Sequence, residues 1–165
     1  MTLIMKTAII LILGASAAFT ANTYAGDLYI EPSVFTLDTE VGDFRGVNIT
    51  GGVNINEYIG LRGSYMVSAG DETYQDVNIS LESMYGADLV LSLPVGDSAS
   101  VYGFGGQTWM EAEASAGGYS AKAEGDYTTY GLGLKFSFRE SLGFFGEVKS
   151  IDGDAMLSAG LRFEL

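Results

Sequence analysis

The chain contains no cysteine, no histidine and only two prolines among its 165 residues. Without His or Cys there are no zinc sites of the usual ligand sets, no thiol nucleophile and no His-dependent triad. Positive charge is scarce as well: 8 Lys and Arg face 21 Asp and Glu, for a formal charge of −13. A basic footprint for nucleic acid is therefore missing. Low hydrophobicity is not the cause of the charge excess, because 47% of residues are apolar, so this is no disordered acidic tail. No cofactor, resident metal or nucleic-acid partner is expected.

Residues 1–25 read as a secretory signal. Lys6 supplies the positive start, Ala8 to Leu13 opens an apolar core, and Thr23-Tyr24-Ala25 puts small residues at the cleavage positions. The uninterrupted apolar run is shorter than the roughly 20 residues that a spanning helix requires. Residues 26–165 then have room for a single domain, located beyond the inner membrane.

In this domain the recurring signal is period-two alternation broken by polar, Gly-rich or acidic patches. The apolar phases are Leu28, Ile30 and Val34; Val47, Ile49 and Val53; Ile59, Leu61, Tyr65 and Val67; Leu81, Tyr85, Leu89 and Leu91; Tyr102, Phe104, Thr108 and Met110; Tyr130, Leu132, Leu134 and Phe136; Phe144 and Val148; Leu157, Leu161 and Phe163. Eight strands in an up-and-down meander follow. Short turns at 56–57, 94–98 and 139–141 alternate with longer, acidic connections at 38–45, 69–76 and 113–126, and with a short one at 152–154. Pro32 is expected to mark a bulge, beyond which Phe35 and Leu37 would turn outward.

Charge tests the phase assigned from apolar residues. Glu31, Arg62, Glu82, Asp88, Glu111, Lys135, Glu147, Lys149, Arg162 and Glu164 all take the opposite face. A bilayer would enforce this separation, since a lipid-facing Arg or Lys at the midplane costs roughly 2–4 kcal/mol. A soluble carrier barrel also alternates, with its apolar face inward. Against it stand the glycines assigned to the polar face (Gly52, Gly60, Gly86, Gly103, Gly105, Gly131, Gly133, Gly160), which suit a narrow lumen better than a solvated surface. Aromatics on the apolar face form two levels, Tyr102, Phe138, Phe144 and Phe163 near the short turns and Tyr65, Tyr85 and Tyr130 higher up.

The segments Tyr102-Gly103-Phe104-Gly105-Gly106, Tyr130-Gly131-Leu132-Gly133-Leu134, Phe144-Phe145-Gly146-Glu147 and Ala159-Gly160-Leu161-Arg162-Phe163 carry a resemblance to small outer-membrane barrels of the OmpA-like and OmpX-like porin family. The resemblance implies an all-β, eight-stranded antiparallel transmembrane barrel in the Gram-negative outer membrane. It also implies lipid and lipopolysaccharide as surroundings, and assembly machinery that reads the C-terminal strand. That strand ends in Leu165, with Phe163 two residues earlier, where proteins of this type usually end in an aromatic residue.

Two sets of residues are candidates for function. Glu31, Arg62, Glu82, Asp88, Lys135, Glu147, Lys149 and Arg162 form an interior charge network that plugs the lumen, with Arg62 and Arg162 neutralised mainly by Glu82, Glu31 and Glu147. Exchange of partners in the same set would instead make a small gated channel. Glu113, Tyr119, Lys122 and Glu124 belong to a hairpin that extends above the membrane, with an exposed edge able to bind a host or surface protein by strand addition. Asp38, Glu40, Asp43, Asp71, Glu72, Asp76, Glu113, Glu124, Asp126, Asp152 and Asp154 crowd the long-loop rim, opposed only by Arg45 and Lys122. Asp152-Gly153-Asp154 is too short for a calcium loop of the helix–loop–helix type. Enzymatic barrels of this membrane use a catalytic His, so a non-enzymatic structural or adhesion-type role is expected.

Overall fold

The computed structural model describes residues 27–165 except 41, 70, 75, 76, 117 and 118. The leader expected at residues 1–25, and the side chains of residues 71–82 and 116–119, lie outside that description. The strands are β1 (Asp27–Thr39), β2 (Gly42–Asn54), β3 (Ile59–Ser68), β4 (Asp71–Tyr74), β5 (Val77–Pro94), β6 (Ala99–Ala116), β7 (Tyr119–Arg139), β8 (Leu142–Ile151) and β9 (Asp154–Glu164). Neighbours pair antiparallel from β1 to β3 and from β5 to β9, and the pairings β3–β5 and β1–β9 close the ring. The four-residue β4 pairs with the upper end of β5. The closed barrel therefore has eight staves.

A register row starting at Tyr29 passes through Gly52, Arg62, Asp88, Gly106, Thr129 and Ile151, and reaches β9 at Asp154. Tyr29 itself pairs with Glu164, ten residues further along β9. A stagger of this kind tilts the strands and sets the width of the closed ring. The interior is consequently narrow enough for side chains to fill.

The outer wall is built from Leu28, Val34, Val47, Ile49, Leu61, Leu89, Leu91, Leu132, Leu134, Val148, Leu157 and Leu161, all exposed. Phe136 stacks on Phe144 with ring centroids 5.4 Å apart near the short-turn end, and Phe138 lies against the same ring. Tyr65, Tyr85 and Trp109 form a register row at the opposite level, where Tyr85 stacks on Trp109 at 5.7 Å. This apolar belt between two aromatic levels faces outward, and charge is kept inside. That is the reverse of a soluble carrier and the arrangement hydrocarbon demands.

Three expectations from the sequence are corrected. The first concerns β6. Tyr102, Phe104 and Thr108 are buried in the lumen, whereas Val101 is exposed on the outer wall; Gly103 and Gly105 therefore face out. Glu111, expected inside, shares the parity of Val101 and Trp109. The reason lies on the neighbouring strand: Tyr102 is the cross-strand partner of Gly133, and Phe104 of Gly131. Inward glycines on β7 leave the space that these rings occupy. Tyr29 opposite Gly52 and Phe35 opposite Gly46 repeat the device between β1 and β2.

The second correction is Pro32. No bulge forms there: β1 stays in register with β2 throughout, and Phe35 and Leu37 are buried inside. The pyrrolidine nitrogen faces β9, and the partner pairs at Glu31–Arg162 and Pro32–Leu161 are absent from an otherwise continuous register. A missing main-chain donor thus loosens one rung of the seam between first and last strands. The Arg162 Nη1–Glu31 Oε1 salt bridge, at 2.9 Å, spans that same rung from the inside. Pro32→Val is expected to restore the rung and raise stability by up to about 1 kcal/mol, measured as a higher urea midpoint in lipid vesicles.

The third concerns the connections. Residues 38–45 form no long loop, because β1 runs to Thr39 and β2 begins at Gly42, with Asp38 opposite Asp43. On β5 the register shifts between Leu81 and Ser83, so Leu81 pairs with Ala112 on the inward parity of β6. The side chains of Leu81 and Glu82 lie outside the described residues. The β8–β9 connection is the tight turn expected, with φ of 54° at Asp152 and 94° at Gly153. Positive φ at both central positions matches the twist of a two-residue hairpin.

Candidate functional site

The lumen is stratified along its axis. Toward the long-loop end, Phe35, Leu37, Phe44, Met66, Met84, Ile151 and Met156 form one apolar cluster, with Met110, Ala112 and Tyr127 packed against it. Below it, Asn48 donates to Ser33 and Thr50 at 3.1 Å each, and the Thr108 and Thr129 hydroxyls approach at 3.4 Å. These polar groups mark the transition to the charged level.

The charged level has two centres. In the first, Arg62 reaches across the barrel to Glu147 (Nη1–Oε2 2.8 Å) and holds its register partner Asp88 through Nε at 3.1 Å. Lys149 approaches the same Asp88 oxygen at 3.5 Å, and the Tyr102 hydroxyl donates to Glu147 at 3.1 Å. The Arg62 guanidinium lies over the Phe104 ring, 4.0 Å from its centroid. Two cations and two anions balance, with an aromatic face taking part of the desolvated charge.

The second centre lies nearer the short-turn rim. Arg162 bridges Glu31 at 2.9 Å and Glu164 at 2.7 Å, over the Tyr29 ring at 3.4 Å from its centroid. Lys135 approaches Glu164 at 3.8 Å. The structure thus brings Arg62, Asp88, Glu147 and Lys149 together in one group and Glu31, Lys135 and Arg162 in another. Sequence reasoning did not include Tyr29, Tyr102 and Phe104 in these groups; their signal was the glycine opposite each ring.

At the long-loop end β5, β6 and β7 run on together. β7 has 21 residues and β8 only 10, and β7 pairs with β8 only from Thr129 downward. The hairpin above it is held by β6 pairing as far as Ala116–Tyr119, and by a Lys122–Glu113 salt bridge at 3.4 Å. Glu113, Lys122 and Glu124 therefore lie on one projecting hairpin, as does the backbone of Tyr119. The acidic crowding of this rim is visible at Asp154, whose carboxyl is raised above its ordinary value by burial and by the negative charges of Glu40, Asp152 and Asp38.

Known structures share this architecture. The N-terminal barrel domain of Pseudomonas aeruginosa OprF aligns with a TM-score of 0.62 and 17% identity, covering 85% of this chain and 99% of that one. P. aeruginosa OprG aligns with a TM-score of 0.70 and 11% identity, covering 87% and 98%. Yersinia pestis Ail, the attachment invasion locus protein, aligns with a TM-score of 0.57 and 20% identity, covering 84% and 97%. None of the curated proteins searched matches the sequence. Residues 7–161 match the family described as outer membrane protein beta-barrel domain. With a closed eight-stave ring, an apolar outer wall and a filled, charge-paired lumen, the chain belongs to this family of small outer-membrane barrels.

Proposed function

We propose that this protein acts at the cell surface, as a plugged barrel whose projecting sheet captures a partner by strand addition. The observation that carries the reading is the height of β7 above β8. Residues 119–128 continue about 30 Å along the strand axis beyond the last β8 pair, at roughly 3.3 Å per residue. A strand edge at that height presents main-chain donors and acceptors to an incoming extended segment.

The lumen supports a surface role over a gated path. An apolar cluster and two salt-bridged centres follow one another along its axis, and opening a path would strand charges that now neutralise each other. The rim charge also narrows the class of partner. Ail has been crystallised with sucrose octasulfate, a heparin analogue, but the acidic rim of this chain repels a polyanion. A neutral or basic protein segment suits it better.

Replacing residues 114–123 with a two-residue Asn-Gly turn tests the proposal. The barrel is expected to keep its heat-shifted gel band, while attachment of bacteria producing it to epithelial cells is lost. Attachment equal to that of the unaltered protein would overturn the reading.

A further inference from the structure

The apolar plug and the outer wall differ in composition. All four methionines among the described residues, Met66, Met84, Met110 and Met156, pack into the plug. The exposed wall is Leu, Val, Ile and aromatic, with no Met among its large exposed residues. Register sets three of the four side by side: Met66 pairs with Met84, and Met84 with Met110, on β3, β5 and β6. Direct cross-strand partners carry their Cβ atoms about 5 Å apart, so three flexible thioethers share one patch of lumen. Met66 and Met84 are each 1% exposed.

A second observation lies beside them. Asn48 on β2 is the cross-strand partner of Met66. Its amide nitrogen donates to the Ser33 and Thr50 hydroxyls. The remaining atom, Oδ1, is buried and has no hydrogen-bond partner among the described residues. A buried amide oxygen without a hydrogen-bond partner among the described residues thus belongs to the residue paired with Met66.

We propose that Met66, Met84 and Met110 form a thioether site for a soft monovalent metal ion of the Cu(I)/Ag(I) class, with Asn48 Oδ1 as accessory donor. Neutral, polarizable thioethers select soft ions, whereas hard divalent ions require several oxygen ligands. Low polarity favours a single charge over a double one, because the Arg62, Lys149, Asp88 and Glu147 group below is already balanced. Leucine would fill the same volume, so the thioether chemistry is what the choice of methionine adds.

The test is Ag(I) titration of the refolded protein in detergent micelles, repeated with Cu(I) under reducing conditions. One ion per chain is expected, with shifts of the Met66, Met84 and Met110 methyl resonances in a 13C-methyl-methionine sample. The M66L/M84L/M110L variant should keep the heat-shifted band and lose binding. If that variant fails to fold, M84L alone should weaken binding while the barrel stays intact. Methyl resonances unmoved by Ag(I), or binding retained by the folded leucine variants, would overturn the proposal and leave methionine as gap-filling only. The outcome is independent of the hairpin replacement, because none of the proposed ligands lies among residues 114–123.

Discussion

Glu147→Ala is expected to destabilise the barrel by about 3–5 kcal/mol, as removal of one member of a buried ion pair typically does. Glu147 takes two Arg62 nitrogens, at 2.8 and 3.4 Å, and the Tyr102 hydroxyl at 3.1 Å. Its loss leaves Asp88 as the one anion among the described residues that pairs with both Arg62 and Lys149. Arg62, Asp88 and Lys149 are all buried, so the uncompensated charge is held away from bulk solvent. Urea unfolding in lipid vesicles, followed through Trp109, the single tryptophan, measures the effect. Lys122→Ala is the control: that pair is 64% exposed on its lysine side, and exposed pairs contribute about 0–1 kcal/mol. Replacing Arg62 and Glu147 together with apolar residues of similar size should recover much of the loss, since the uncompensated charge is then gone. A Glu147→Ala barrel as stable as the parent would show that the network does not hold the lumen together.

Much of the architecture was legible because the bilayer imposes a coarse rule. Leu132 and Leu134 must face lipid, so Lys135 and Gly133 must not, and one strand's phase follows from a few residues. The same rule misled at β6, where Tyr102 and Phe104 are as apolar as wall residues and their alternation with glycine fits either face. What decides between the faces is a relation across strands, ring against glycine, that no single segment displays. Pro32 misled for a related reason. Its cost depends on which neighbour the nitrogen faces, and that neighbour, β9, lies about 130 residues away in sequence. The interior charges could be named as a set, because burial in a narrow lumen forces pairing. Their partners could not be, because the tilt that brings Arg62 to Glu147 follows from the stagger of the closed ring.

The glycine–ring pairs make the inward placement of β6 open to direct test. Gly131→Ala is expected to cost about 1–3 kcal/mol or more, because a Cβ there collides with the Phe104 ring and with the Val148 carbonyl. The ring cannot simply turn aside, since the Arg62 guanidinium lies over its face. Nor can the carbonyl, which belongs to β8 in the paired sheet. Gly105→Ala on the outer wall meets only the Thr129 carbonyl at 3.6 Å, an ordinary contact, and should change stability by no more than about 0.5 kcal/mol. Urea midpoints of the two variants in the same vesicles give the comparison. If β6 instead faced Tyr102 and Phe104 to lipid, position 131 would lose the clash with the ring and keep only that with the Val148 carbonyl, while Gly105 would sit in the crowded lumen. The gap between the two effects would then narrow or close. The comparison therefore reads out the facing of the whole strand from two single-methyl changes, and with it whether Tyr102 is in place to hold Glu147.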